Sequence, residues 1–203
     1  MNSRLKLANL PTLIAKAQRL SDDLGANIFL KRDDQTGTEI SGNKIRKLEF
    51  ALKQAVDSGA TTIITTGGIQ SNHCRATTAA ATLLGLKIVL LLRINEDPKI
   101  EGNFFLDKLF GAEIRYCTPE EYRESRNEIM KKIAAEKNSM GERCYIVPEG
   151  ASFGIGSLGY FNAYEEILSQ EKEMEVIFDT IVVATGSGGT YSGLYLANKY
   201  YGL

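Results

Sequence analysis

Histidine occurs once in the 203 residues, as His73, and cysteine three times, as Cys74, Cys117 and Cys144. The cysteines are widely spaced and no C-x-x-C pair exists, so the close ligand set of a zinc site is missing and no metal is expected. Reduced thiols, acting as small buried apolar residues, are the expectation. A chain of this length can bury most of its apolar surface without disulfide bonds. Charge of one sign is missing too: 24 Lys and Arg against 25 Asp and Glu give a net charge of −1. No global field therefore points to nucleic acid or to an anionic membrane. No apolar run approaches the roughly 20 residues needed to cross a bilayer. The opening MNSRLKLANLP lacks the apolar core of a signal peptide, and a cytoplasmic location is expected. Repeats, low-complexity tracts and disordered linkers are absent. The charged run EEYRESRNEIMKKIAAEK has helical spacing and reads as a solvated helix face.

What is present is an alternation of strand-like and helical patterns. TTIITT (61–66), KIVLLL (87–92), EIRYC (113–117), RCYIVP (143–148) and DTIVVA (179–184) read as strands. Ile45, Leu48, Leu52, Ala55 and Val56 mark one face of a helix running to Gly59. Ala76, Ala79, Ala80, Leu83 and Leu84 mark a second helix, ended by Gly85. Phe104, Leu106, Leu109 and Phe110 precede Gly111. Pro119 can open a further helix, where its missing N–H costs nothing, with Ile129, Ile133 and Ala134 as the buried stripe. This order predicts an α/β fold with a parallel sheet covered by helices. In such folds ligands bind at loops leaving the carboxyl ends of strands. Those loops are 67–73, 149–154 and 185–190.

Three segments carry chemistry. In Thr185-Gly186-Ser187-Gly188-Gly189-Thr190, glycines permit close backbone approach and the following helix start supplies free N–H groups, a cradle for phosphate. Neither a nucleotide P-loop nor the dinucleotide fingerprint fits, since no Gly-Lys-Ser/Thr follows and Tyr191 stands where a third glycine would fall. A tight strand-to-helix turn would use the same residues. In Ser41-Gly42-Asn43-Lys44-Ile45-Arg46-Lys47, Lys44 begins the helix. The helix dipole disfavours a cation there and lowers the lysine pKa. A neutral lysine can attack an aldehyde, so the position suits a Schiff base; a solvated basic turn is the alternative. Lys47, one turn on, further disfavours charge on Lys44 and can meet a phosphate. In Gly67-Gly68-Ile69-Gln70-Ser71-Asn72-His73, Ser71, Asn72 and the backbone N–H groups can hold a carboxylate. His73 fits either catalysis or packing.

Together, residues 41–50, 68–75 and 185–190, with Leu10-Pro11-Thr12 and Leu30-Lys31-Arg32-Asp33-Asp34, resemble the D-cysteine desulfhydrase / 1-aminocyclopropane-1-carboxylate deaminase family of fold-type II pyridoxal-phosphate (PLP) enzymes. The resemblance covers nearly the whole chain. It implies a two-domain, tryptophan synthase β-like architecture: 1–48 as the first part of a large domain, 49–149 as a small α/β domain, and 150–203 as the second part of the large one. It implies PLP as cofactor, held covalently by Lys44. Lys47, Ser187, Gly188, Gly189 and Thr190 match the residues around its phosphate, and Asn72 the partner of its ring oxygen. Ser71 matches a residue that contacts the substrate carboxylate and acts in catalysis; Asn72 and His73 complete the substrate side. Pro148-Glu149-Gly150-Ala151-Ser152 departs from the family's usual Gly-Gly-Ser.

The implied activity is a lyase breaking down a small amino acid. His73 after Ser71-Asn72 favours D-cysteine desulfhydrase over the deaminase. A homodimer is implied, with neither nucleic acid nor membrane as partner. Family members continue past the position of Leu203, so a truncated chain with an incomplete large domain is expected. An inactive fragment is the rival expectation.

Overall fold

The computed structural model describes residues 3–37 and 39–202. An antiparallel hairpin comes first: β1 (Ile14–Lys16) and β2 (Phe29–Lys31), with α1 (Gln18–Leu24) between them. Then come α2 (Lys44–Asp57), β3 (Thr62–Gly68), α3 (Asn72–Leu83), β4 (Lys87–Arg93), α4 (Gly102–Leu109), β5 (Glu113–Cys117), α5 (Pro119–Ser139), β6 (Cys144–Ile146), α6 (Gly154–Met174) and α7 (Gly189–Tyr201). Strands β3 to β6 form a parallel sheet in the order β5-β4-β3-β6.

The sheet is covered on both faces, which is why its central strands are apolar without alternation. Ile63, Leu90 and Leu92 face one core with Ile45, Leu48, Ala76 and Phe104. Ile64, Val89 and Leu91 face the other with Tyr122, Met130 and Ile133 of α5. Helix α5 starts as its sequence dictates. Thr118 and Glu121 form a reciprocal capping box, and Pro119 occupies the first turn.

A second layer joins α2, α6 and α7. Gly159 of α6 lies so close to α2 that a Cβ there would overlap the Arg46 carbonyl. Below this contact lies a buried ionic knot. The Arg46 guanidinium donates to both Asp33 and Glu166 and, at 3.0 Å, to Thr12 Oγ1. Tyr160 donates to Asp33 at 2.6 Å. The segments around Thr12 and Asp33 are thereby tied to α2 and α6.

Some expectations are corrected. Residues 179–184 pair with no described strand and run as irregular chain, with Val182 92% exposed. A strand exists only where a neighbour accepts its hydrogen bonds, and apolar β-branched sequence alone does not supply one. Val56, Leu83 and Leu109 point outward rather than into the core. Val56 follows Ala55 by one residue, a rotation of about 100° around the helix axis that turns it out.

Candidate active site

The first cluster is built on the start of α2. Lys44 is the first helical residue, after Gly42 at positive φ and Asn43 as cap. Its Nζ donates to Asn43 Oδ1 at 3.1 Å, and Asn43 Nδ2 donates to Thr190 Oγ1 at 3.3 Å. One asparagine therefore ties Lys44 to the 185–190 turn, 147 residues further on. Lys47 makes a parallel link. Its Nζ donates to Ser152 Oγ at 3.2 Å, and Ser152 Oγ lies 2.7 Å from Ser187 Oγ. Gly188, at φ 85°, turns the chain into α7, whose first residues are Gly189 and Thr190. A left-handed φ is strained for any side chain, so glycine is required there.

Burial lowers the pKa of Lys44. Burial, and then the charge of Lys44, lowers Lys47 to about 8. The sequence expectation gives the right direction for Lys44, but burial is the cause. Lys47 is only 1% exposed, and no described carboxylate pairs with either lysine. A buried ammonium group next to a half-buried one, with no anion between them, is costly. The donor set around them is complete for a phosphate: Lys47, the Ser152, Ser187 and Thr190 hydroxyls, and the free N–H groups at the start of α7. Lys44 stands beside it with an amine held toward neutrality. The residues present thus fit a phosphorylated aldehyde.

The second cluster is the turn from β3 into α3. Ser71 caps α3, its Oγ accepting the Cys74 N–H at 3.2 Å. Asn72 is exposed, and its Oδ1 accepts from Asn103 Nδ2 at 2.9 Å, which leaves its own Nδ2 free to donate. The Gln70 side chain accepts the Asn103 N–H and donates to the Glu101 carbonyl, pinning this turn to the start of α4.

His73 is not part of this open surface. It is buried, with Nε2 2.8 Å from Thr65 Oγ1 and Nδ1 3.4 Å from Thr77 Oγ1. Burial, and then the charges of Lys47 and Lys44, push its pKa down to about 3. The substrate contact expected of His73 thus finds no support in this geometry, where the ring packs against Thr65 and Thr77. One residue past Asn72 on a helix, the side chain faces the sheet.

Of the residues singled out in the sequence, the structure brings together Lys44, Lys47, Ser187, Gly188, Gly189 and Thr190. Ser71 and Asn72 stand in the adjoining turn. Asn43 and Ser152, which bridge the lysines to the cup, went unread. Their signal was present, because each is polar and sits in a loop already singled out. Cys74, Cys117 and Cys144 are free thiols, and no group of metal-ligating side chains occurs among the described residues. No helix among those residues is long and apolar enough to cross a membrane.

Residues 5–202 match the family described as pyridoxal-phosphate dependent enzyme. The chain is 48% identical over 191 residues to a putative 1-aminocyclopropane-1-carboxylate deaminase of Thermotoga maritima, covering 94% of this chain and 60% of that protein. It is 43% identical over 200 residues to the mitochondrial bifunctional D-cysteine desulfhydrase/1-aminocyclopropane-1-carboxylate deaminase of Arabidopsis thaliana, covering 95% and 50% respectively. The crystal structure of a homologue of that deaminase superposes with a TM-score of 0.88 at 40% identity, covering 98% of this chain and 59% of the other. The chain spans 50–60% of the length of these relatives. With the family match running over nearly all its residues, the chain belongs to the pyridoxal-phosphate dependent enzymes.

Proposed function

We propose that the whole protein breaks down a small amino acid with PLP, D-cysteine first, giving pyruvate, sulfide and ammonia with uptake of one water. The observation that carries this reading is Lys44: a half-buried amine of lowered pKa, joined through Asn43 to Thr190 of a phosphate-shaped turn. PLP, when bound, supplies an aldehyde for amino groups and an electron-accepting ring. Lys44 would hold it, and the free Lys44 amine would be the base for the proton on the substrate Cα. Lys47, Ser187, Gly188, Gly189 and Thr190 hold the phosphate. Ser71, with the N–H groups at the start of α3, orients the substrate carboxylate, and Asn72 Nδ2 is the donor toward the cofactor's ring oxygen. His73 keeps the floor of the site dry and uncharged, so the α-proton falls to Lys44.

The second reading, 1-aminocyclopropane-1-carboxylate deaminase, is the name of the Thermotoga maritima relative and one of the two activities named for the Arabidopsis thaliana one. It uses the same lysine and carboxylate turn but breaks a ring bond, with no α-hydrogen to remove. The division into 1–48, 49–149 and 150–203, a homodimer and a cytoplasmic location belong to the same proposal. The first boundary falls inside α2, which packs on both α3 and α6.

The test is borohydride reduction of the PLP-loaded full-length protein, followed by peptide mapping. The adduct is expected on Lys44 and is expected to be lost in Lys44→Ala. A persistent adduct on another lysine would overturn the assignment. Comparing kcat/KM for D-cysteine, L-cysteine and 1-aminocyclopropane-1-carboxylate then decides between the two substrates.

A further inference from the structure

Arg75 belongs to neither cluster, yet it physically joins them. It sits in the first turn of α3, one turn past Ser71, with its backbone N–H donating to the Ser71 carbonyl at 3.1 Å. Its side chain leaves α3 and reaches the segment that leads into Lys44. Nη1 donates to the Glu39 carbonyl at 2.5 Å and to Ser41 Oγ at 3.3 Å, and Nη2 donates to the Ser41 carbonyl at 2.9 Å. Arg75 as a whole is buried, only 7% exposed. Burial lowers the Arg75 pKa, and the fully buried Asp107 of α4, which makes no direct ion pair with it, pulls the other way.

The bonding pattern goes beyond a packed cation. One planar guanidinium fork spans two backbone carbonyls of a short loop, those of Glu39 and Ser41, an arrangement that a single ammonium group does not reproduce. Ile40, between them, is buried in the core, so the loop is held by its side chain on one side and by Arg75 on the other. Lys44 follows three residues after Ser41, with the flexible Gly42 between.

We infer that Arg75 is a positioning residue: it fixes the Lys44 loop relative to the Ser71-Asn72 turn, so that the cofactor lysine and the carboxylate turn keep one spacing. This rests on the reading of Lys44 as the cofactor lysine. Lysine at position 75 keeps the charge but cannot bond both carbonyls in one plane, so Arg75→Lys isolates the fork from the charge.

The experiment follows native-state cleavage of the cofactor-free full-length protein by a glutamate-specific protease. Cutting between Glu39 and Ile40 requires the loop to detach; cutting after the exposed Glu124 in α5 reports on α5 instead. Arg75→Lys is expected to raise cleavage at Glu39 at least tenfold, leave cleavage at Glu124 unchanged, and weaken PLP binding, read from its visible absorbance, about tenfold. Cleavage rising equally at both sites, no change at Glu39, or unaltered PLP affinity would each overturn the inference. If Arg75→Lys does not fold, Ser41→Ala removes one of the three bonds and is expected to raise cleavage at Glu39 about twofold to threefold; no rise would count against the inference. Borohydride mapping of the wild-type protein separates the two readings. An adduct away from Lys44 removes the cofactor reading while the cleavage result still reports on the loop.

Discussion

Two segments of this chain carry almost the same apolar signature and end in opposite states. Lys87–Arg93 becomes β4, its five central residues buried between β3 and β5. Residues 179–184 are richer still in β-branched residues, with Thr180, Ile181, Val182 and Val183 against Ile88 and Val89 in β4, yet they stay irregular, with Ile181 and Val182 exposed. The difference lies in the neighbours. β4 finds a ladder on both edges and helices on both faces, whereas 179–184 finds no ladder among the described residues. Strand propensity states what a pleated, half-buried surface would accept; pairing decides whether such a surface exists.

The contrast can be tested by removing the same kind of group from each segment. Leu91→Ala in β4 is expected to cost about 2–5 kcal/mol, since the surrounding core cannot collapse onto the cavity. Urea denaturation of the cofactor-free protein measures this. A cost near zero would mean the sheet is no better packed than the irregular segment.

A smaller effect tests how dry the surroundings of the sheet are, through two buried groups with opposite pH signs. His73 is pushed down to about 3 from 6.5. In that interval the unfolded chain binds a proton that the folded chain does not, so stability falls as pH drops. Asp107 is pushed up by burial to about 7 from 3.8, against the pull of Thr78 and Arg75. In that interval the folded chain keeps a proton that the unfolded chain has lost, so stability falls as pH rises. Between about pH 4 and 6.5 the two slopes oppose, each at most about 1.4 kcal/mol per pH unit. Asp107→Asn is expected to steepen the acid-side loss, and His73→Asn to reverse the slope. Parallel stability–pH curves for both variants and the wild type would show that water reaches these groups.

The smallest effect belongs to the irregular segment. Val182→Ala is expected to change the stability of this 203-residue chain by less than about 0.5 kcal/mol, as for exposed positions generally. A cost comparable to that of Leu91→Ala would show that 179–184 is packed in solution.

Much of the sheet was legible in the sequence because its strands are short, apolar and bounded by glycine or proline. EIRYC matches β5 at both ends, and Lys44 opens α2 as its place after Gly42-Asn43 indicates. The glycine turn that leads into α7 was legible for the same local reason. The hairpin near the N-terminus and helix α6 were not. Strands of three residues carry almost no periodicity, and the glycines that open α6 resemble a loop until their partners are known. Gly156 and Gly159 are there for close approach, which only the packed structure reveals. The Arg46 knot and the Asn43–Thr190 bridge depend on pairs far apart in the chain, which one sequence does not display.

The contact at Gly159 makes the start of α2 a lever with its pivot set beside the reactive end. The backbone that Gly159 touches, at Arg46 and Lys47, is less than one helical turn from Lys44. A single added methyl group on α6 would have to lift that turn, and Lys44 and Lys47 would swing with it, away from Asn43's partner and from Ser152. The reach of the two amines is thus governed from a different helix, by an atom that is not there.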